Sequence, residues 1–272
     1  MNTDDINSWS KYKSWQLVTP PSRPANWQLN ICRHILLNKP KSSKIAVLGS
    51  TIEYRDLLAE LGFNRVYIFE RNEEFYHYIT PFAKNELHEC LILGNWLDTL
   101  KTFVDYFDAI LSDLTSGNIS YNCRDTFYSG INNSLTTTGM YIDRLLTKSQ
   151  PFVDLSILLE KYASLPVTNA SVNSFNCEVL FCSTLLDNEK HVVDTDRFYD
   201  YLLGLNIPRI SEFVMACYEI TPRDCIWWYN QNWKVEKQQY SKFFDVVDVF
   251  DEPDDSEYYG RVKFFISKRR KV

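Results

Sequence analysis

Long apolar runs are missing from this chain of 272 residues. None approaches the roughly 18 residues that a membrane-crossing helix needs. The opening MNTDDINSWSKYKSW is polar and holds no apolar run, so no secretory signal peptide is expected. A basic excess is missing as well. The net charge of −6 argues against nonspecific contact with DNA or RNA, which needs basic surface to displace counterions. Glycine is sparse, and no G-x-G-x-x-G follows a strand-like run, which counts against a nicotinamide dinucleotide loop. A P-loop is absent. A zinc site would want paired Cys or His at short spacing. Cys177 and Cys182 stand five apart, a separation that does not bring them to one side of a helix, so no metal site is expected. The cysteines are odd in number and irregularly spaced, as reduced thiols of a cytosolic protein would be.

What is present is a globular composition, 45% hydrophobic and 24% charged, with a high aromatic share. The length suits one large α/β domain with an insertion, or two small domains. The organising stretch is Lys44 to Glu70, KIAVLGSTIEYRDLLAELGFNRVYIFE. Lys44–Leu48 reads as a strand buried on both faces. Gly49 ends it where the chain must turn sharply. Tyr54, Leu57, Leu58 and Leu61 fall at helical spacing within Ile52–Leu61, and Gly62 stands where a C-cap glycine belongs. Val66–Phe69 is a second strand, ending in the acid Glu70. A βαβ unit with glycine after its first strand and a carboxylate after its second is a nucleoside-binding device.

The spacing around this unit predicts more of the same. Residues 1–40 form an arm, broken by the prolines Pro20 to Pro24, and a helix from about Asn26 to Leu37. In the arm, Trp9, Trp15 and Trp27 either cover the sheet edge or, for Trp15 with Arg23, close over a ligand pocket. After Glu70 come a helix through Phe75 and Tyr78, a strand Cys90–Leu93, and Gly94-Asn95-Trp96 leading to a helix Asp98–Val104. A strand Phe107–Asp113, a helix from about Arg124 to Leu135 and a strand Thr138–Asp143 follow. Strands alternating with helices predict a doubly wound, mostly parallel sheet, with ligands beyond the carboxyl ends of its strands. Gly49, Glu70, Asn95 and Asp113 all fall at such ends, so residues 41–149 read as the core. Residues 150–235 break the alternation and read as a helical insertion capping the rim, with helices through Val153–Tyr162, Phe175–Leu186, Phe198–Leu205 (ended by Pro208) and Ile210–Ile220. Trp227, Trp228, Tyr229 and Trp233 either pack as a helix on that insertion or form an aromatic cage for substrate. Residues 236–272 read as a terminal β-hairpin. The four histidines, His34, His77, His88 and His191, read as ordinary surface or core residues.

This order of elements resembles the class I S-adenosylmethionine-dependent methyltransferases, a Rossmann-like fold of seven strands. LGSTIEYRDLL resembles the LG-x-T-x-E-x-R form of the first motif in a bacterial branch of that family. GNW followed by FDAILSD resembles that branch's later motifs, and the Arg23-Pro24 pair before the first strand fits as well. The likeness covers about residues 20–147 and the hairpin. It implies that Gly49 and the turn through Ser50, Thr51 and Glu53 lie against the methionine part of the cofactor. Glu70 would hold the ribose hydroxyls, Asn95 the adenine amino group with Trp96 beside the ring, and Asp113 the methionine amino group near the transferred methyl. The usual three-glycine loop is reduced to Gly49, and Asn95 stands where aspartate is commoner.

The implied reaction needs in-line alignment of nucleophile, methyl and sulfur more than side-chain chemistry. Asp113 is the candidate general base if the acceptor is protonated. The aromatic insertion and acidic balance favour a small or medium-sized organic acceptor, with a peptide or protein still open; neither a nucleic acid nor a membrane is expected as a partner. Two rivals stand beside this reading. An aminopropyl transferase would present a second acid in SDLTS, which has one. A methyltransferase-like domain without chemistry would act as a binding or regulatory module.

Overall fold

The chain alternates strand and helix through its first half because apolar runs and amphipathic segments alternate there. The computed structural model describes residues 15–148, 153–183, 192–221, 225–228, 230–253 and 261–270. A short 3-10 turn, Trp15–Leu17, opens the arm, and α1 (Asn26–Leu36) follows it. Then come β1 (Ile45–Leu48), α2 (Ile52–Glu60), β2 (Val66–Glu70), α3 (Glu73–Ile79), β3 (Glu89–Leu93), α4 (Trp96–Thr99), β4 (Phe107–Asp113), α5 (Tyr121–Ser134) and β5 (Leu135–Leu146). The second half runs α6 (Leu155–Ala163), α7 (Asn169–Cys182), β6 (Val192–Asp194), α8 (Thr195–Gly204), α9 (Pro208–Ile220), β7 (Ile226–Trp228), α10 (Trp233–Tyr240), β8 (Phe244–Asp251) and β9 (Val262–Arg269).

Seven strands form one sheet in the order β3-β2-β1-β4-β5-β9-β8. The five leading strands are parallel, and the terminal hairpin completes the sheet with β9 antiparallel to both of its neighbours. Strand order reverses between β1 and β4, the point where sheets of this kind open a crevice for ligands. Alternate residues of β1 face opposite layers. Ala46 and Leu48 join Phe69, Ile110, Phe127 and Tyr141 on one side; Ile45 and Val47 join Ile68, Leu111, Leu57 and Leu58 on the other. A third cluster belongs to the second half. Tyr162, Phe175, Val179, Leu202, Phe213 and Val214 from α6 to α9 pack together, with Val18 of the arm and Trp227 of β7 among them.

Several boundaries differ from the sequence reading for local reasons. The helix expected over Asp98–Val104 begins at Trp96, because the Asn95 side chain accepts the Leu97 N–H at 2.9 Å and caps it there. It then tightens into a 3-10 turn, Leu100–Thr102, and ends. Helix α5 starts at Tyr121, and β5 is twice the length expected. Pro208 opens α9 at a first-turn position where its missing N–H costs no helical bond. The aromatic stretch after Pro222 is not a helix. Ile226–Trp228 is a strand paired antiparallel with Val192–Asp194, and the helix comes after it, at Trp233–Tyr240. The helical run expected to reach Leu186 ends at Cys182 among the described residues; its remainder, Trp9 and Tyr229 lie outside them.

Candidate active site

Three carboxyl ends of the sheet meet at one cavity. Gly49, Ser50 and Thr51 line it after β1, Glu70 and Arg71 after β2, and Asp113 and Leu114 after β4; Trp96 closes one side. Gly49 has φ +87°, and a Cβ built there would meet nothing within 4 Å, so the backbone lies open toward a ligand. Ser50 is committed elsewhere, because its hydroxyl donates to Glu70 Oε2 at 2.8 Å. Glu70 is 5% exposed. Its Oε1 accepts the backbone N–H groups of Arg71 at 2.8 Å and Asn72 at 3.0 Å. Burial pushes this carboxyl above the ordinary range, and the three hydrogen bonds oppose that push. Trp96 donates its indole N–H to Phe69 O at 2.9 Å, which fixes the ring beside the strand end.

Asp113 does not stand alone. Arg144, directly across in the β4–β5 register, donates Nε to Asp113 Oδ1 at 2.5 Å and Nη1 to Pro21 O at 2.7 Å. Burial raises the Asp113 carboxyl and the Arg144 charge pulls it back. Leu114 follows with φ +53°, a left-handed conformation rare for a leucine, in the bend that leaves the strand. Nothing in the sequence marked Arg144 or Leu114, since one acts by cross-strand pairing and the other by backbone shape.

Asn95, Glu53 and Arg23 are placed differently from expectation. Asn95 is not among the residues lining the cavity, and its amide oxygen serves as the helix cap. Glu53 lines a separate groove along α1 and α2, where it forms an ion pair with Arg23. That pair draws the arm down. Arg23 also donates to Val18 O at 3.1 Å and lies 5.3 Å from the Trp15 ring centroid. Asn173 of α7 holds the arm's other side, donating to Leu17 O at 3.0 Å and accepting from Thr19 N at 3.3 Å. Trp15 and Ser22 therefore roof the cavity.

A second cavity adjoins the first. Trp15, Ser22, Leu114 and Trp227 line both. Beyond them it is bounded by Leu146, Cys177, Leu180, Phe181, Ile220, Trp228 and Asn230. Trp227 packs edge-on against Phe181, with centroids 6.1 Å apart. Arg124, buried in α5, donates to Trp228 O at 2.8 Å and Ser116 O at 3.0 Å and so ties β7 to the loop after β4.

No family model and no curated protein matches this sequence. Solved structures do match its fold. A protein from Rhodobacter sphaeroides, provisionally named a Zn-dependent alcohol dehydrogenase, shares 15% identity over 96% of this chain and 98% of its own, with a TM-score of 0.58. A SAM-dependent methyltransferase from Methanosarcina mazei shares 9% over 88% and 98%, with a TM-score of 0.53. The 1,6-didemethyltoxoflavin-N1-methyltransferase of Burkholderia thailandensis, solved with 1,6-didemethyltoxoflavin and S-adenosylhomocysteine, shares 8% over 90% and 78%, with a TM-score of 0.50. This is the class I methyltransferase fold. On a methyltransferase fold, the first cavity lies at the carboxyl rim beside the switch point, and the second lies between that rim and the helices of the second half. Among the described residues, no three His, Cys, Asp or Glu side chains come together as a metal site would require, and no helix is long and apolar enough to cross a membrane.

Proposed function

We propose that this chain is an S-adenosylmethionine-dependent methyltransferase that acts on a small or medium-sized organic acceptor. The observation that carries the reading is the convergence of Gly49, Glu70, Trp96 and Asp113 on one cavity that adjoins a second, largely apolar one. The residues fit an adenosyl group with an amino-acid tail. Glu70 presents a carboxylate braced by backbone N–H groups, suited to vicinal ribose hydroxyls. Trp96 offers the wall for a purine, with Asn95 at the turn beside it. The uncovered backbone at Gly49, continued by Thr51, admits the tail, and Asp113 meets its ammonium. When bound, the cofactor supplies a methyl group already made electrophilic by its sulfonium. The protein's part is to align the acceptor and exclude water. Asp113, held by Arg144, suits an orienting acceptor better than a base. The free thiols of the described cysteines agree with a cytosolic setting.

Titration calorimetry with S-adenosylmethionine and S-adenosylhomocysteine tests the proposal. Saturable binding of both at one site is expected; binding of neither would overturn it. Binding without turnover on any acceptor would favour the regulatory module, whose support is the reduced glycine loop.

A further inference from the structure

The second cavity carries information about the acceptor. Among the described residues that line it, none is Asp, Glu, Lys, Arg or His. Its two amides are occupied inside the protein. Asn176 donates to Thr221 Oγ1 at 2.9 Å and accepts from Tyr199 OH at 2.6 Å. Asn230 donates to Leu146 O at 3.0 Å and accepts from Ser116 Oγ at 3.1 Å. What remains facing the space is mostly apolar and aromatic: Leu180, Phe181, Ile220 and Trp228, with Trp15 and Trp227 at the junction; Ser22 Oγ and Cys177 Sγ pair with each other at 3.7 Å, and Thr221 Oγ1 takes the Asn176 bond. A charged molecule entering here would give up its hydration and meet no opposite charge among the described lining residues. A flat ring would meet aromatic walls that reward edge and offset contacts.

We infer that the acceptor is a neutral aromatic heterocycle, methylated on a ring nitrogen whose lone pair is available without prior loss of a proton. The inference rests on the methyltransferase reading and specifies its substrate class. The chemistry balances with no protein base. The nitrogen lone pair forms the new bond to the methyl carbon, the carbon–sulfur pair leaves with sulfur, and the positive charge passes from sulfur to the ring nitrogen. Trp15 and Trp227, shared by both cavities, stand where an indole can meet that charge on either side of the transfer.

The test uses the full chain saturated with S-adenosylhomocysteine and three probes of one shape: quinoline, quinoline-2-carboxylate and quinolin-2-ylmethylammonium. Binding is followed by saturation-transfer NMR and calorimetry at neutral pH. Quinoline is expected to bind tighter than either charged analogue by about tenfold or more, the scale set by stranding a charge in an apolar site. Phe181→Ala should weaken quinoline and leave S-adenosylhomocysteine affinity unchanged; if that variant melts early, Phe181→Leu carries the comparison. Equal or tighter binding of a charged analogue would overturn the inference, as would absence of quinoline binding beside bound S-adenosylhomocysteine. Failure of S-adenosylhomocysteine to bind while quinoline still prefers the cavity would instead overturn the methyltransferase reading and support the cavity's preference for neutral rings.

Discussion

Glu70 keeps a carboxylate in a place with little water, and three donors make that tolerable. If its one remaining lone pair holds a ribose hydroxyl, Glu70→Ala should weaken S-adenosylhomocysteine binding by about 1.5–3 kcal/mol, read by calorimetry. Asp143 is a different case. It lies within β5, fully buried, takes a hydrogen bond from Tyr240, and burial pushes its carboxyl up to about 7. Its folded pKa exceeds its unfolded one, so the folded state binds the proton more tightly. That stability is full below pH 3.8 and falls away as pH rises toward about 7. Asp143→Asn should therefore flatten the dependence of melting temperature on pH across that window and melt no lower than the parent at pH 8. Glu70 and Asp113 were legible in the sequence because each ends an apolar strand with an acid. Arg144 was not, because its partner is 31 residues away and the pairing depends on β4–β5 register.

That register depends on one glycine. Phe107 pairs with Leu135 and Ala109 with Met140, so residues 136–139 of β5 bulge out of the ladder. A Cβ at Gly139 would sit 2.8 Å from Phe107 O and 2.9 Å from Leu135 Cβ. Gly139→Ala should cost about 1–3 kcal/mol in a urea titration, the usual scale for overpacking. Through the strand it should also disturb Arg144, five residues on. The elements that periodicity revealed are those whose burial is local, namely β1, β2, β4 and the helices with one apolar face. β7 was misread because three residues carry no period. Its pairing with Val192–Asp194, more than thirty residues upstream, makes it a strand. α10, WKVEKQQY, escaped notice because it buries little besides Glu236 and Tyr240.

Across the whole molecule, the fold class followed from the order of strands and helices, while the contacts that seat the arm did not. The arm reaches α2, α7 and β5 through Arg23, Asn173 and Arg144, contacts that no local pattern announces. β9 lies in the interior of the sheet, with β5 on one side and β8 on the other, and its Val262, Phe264, Phe265 and Ile266 are buried. A chain truncated before residue 261 should lose cooperative thermal unfolding and near-ultraviolet dichroism, whereas one lacking only residues 271–272 should keep both. The same placement bears on birth at the ribosome. Roughly 115 residues are made after β5 before its neighbour exists. At about 5–20 residues per second, β5 waits on the order of ten seconds with an open edge. Residues 147–261 are thus synthesised beside an unfinished sheet, and the domain closes only when β9 has left the exit tunnel.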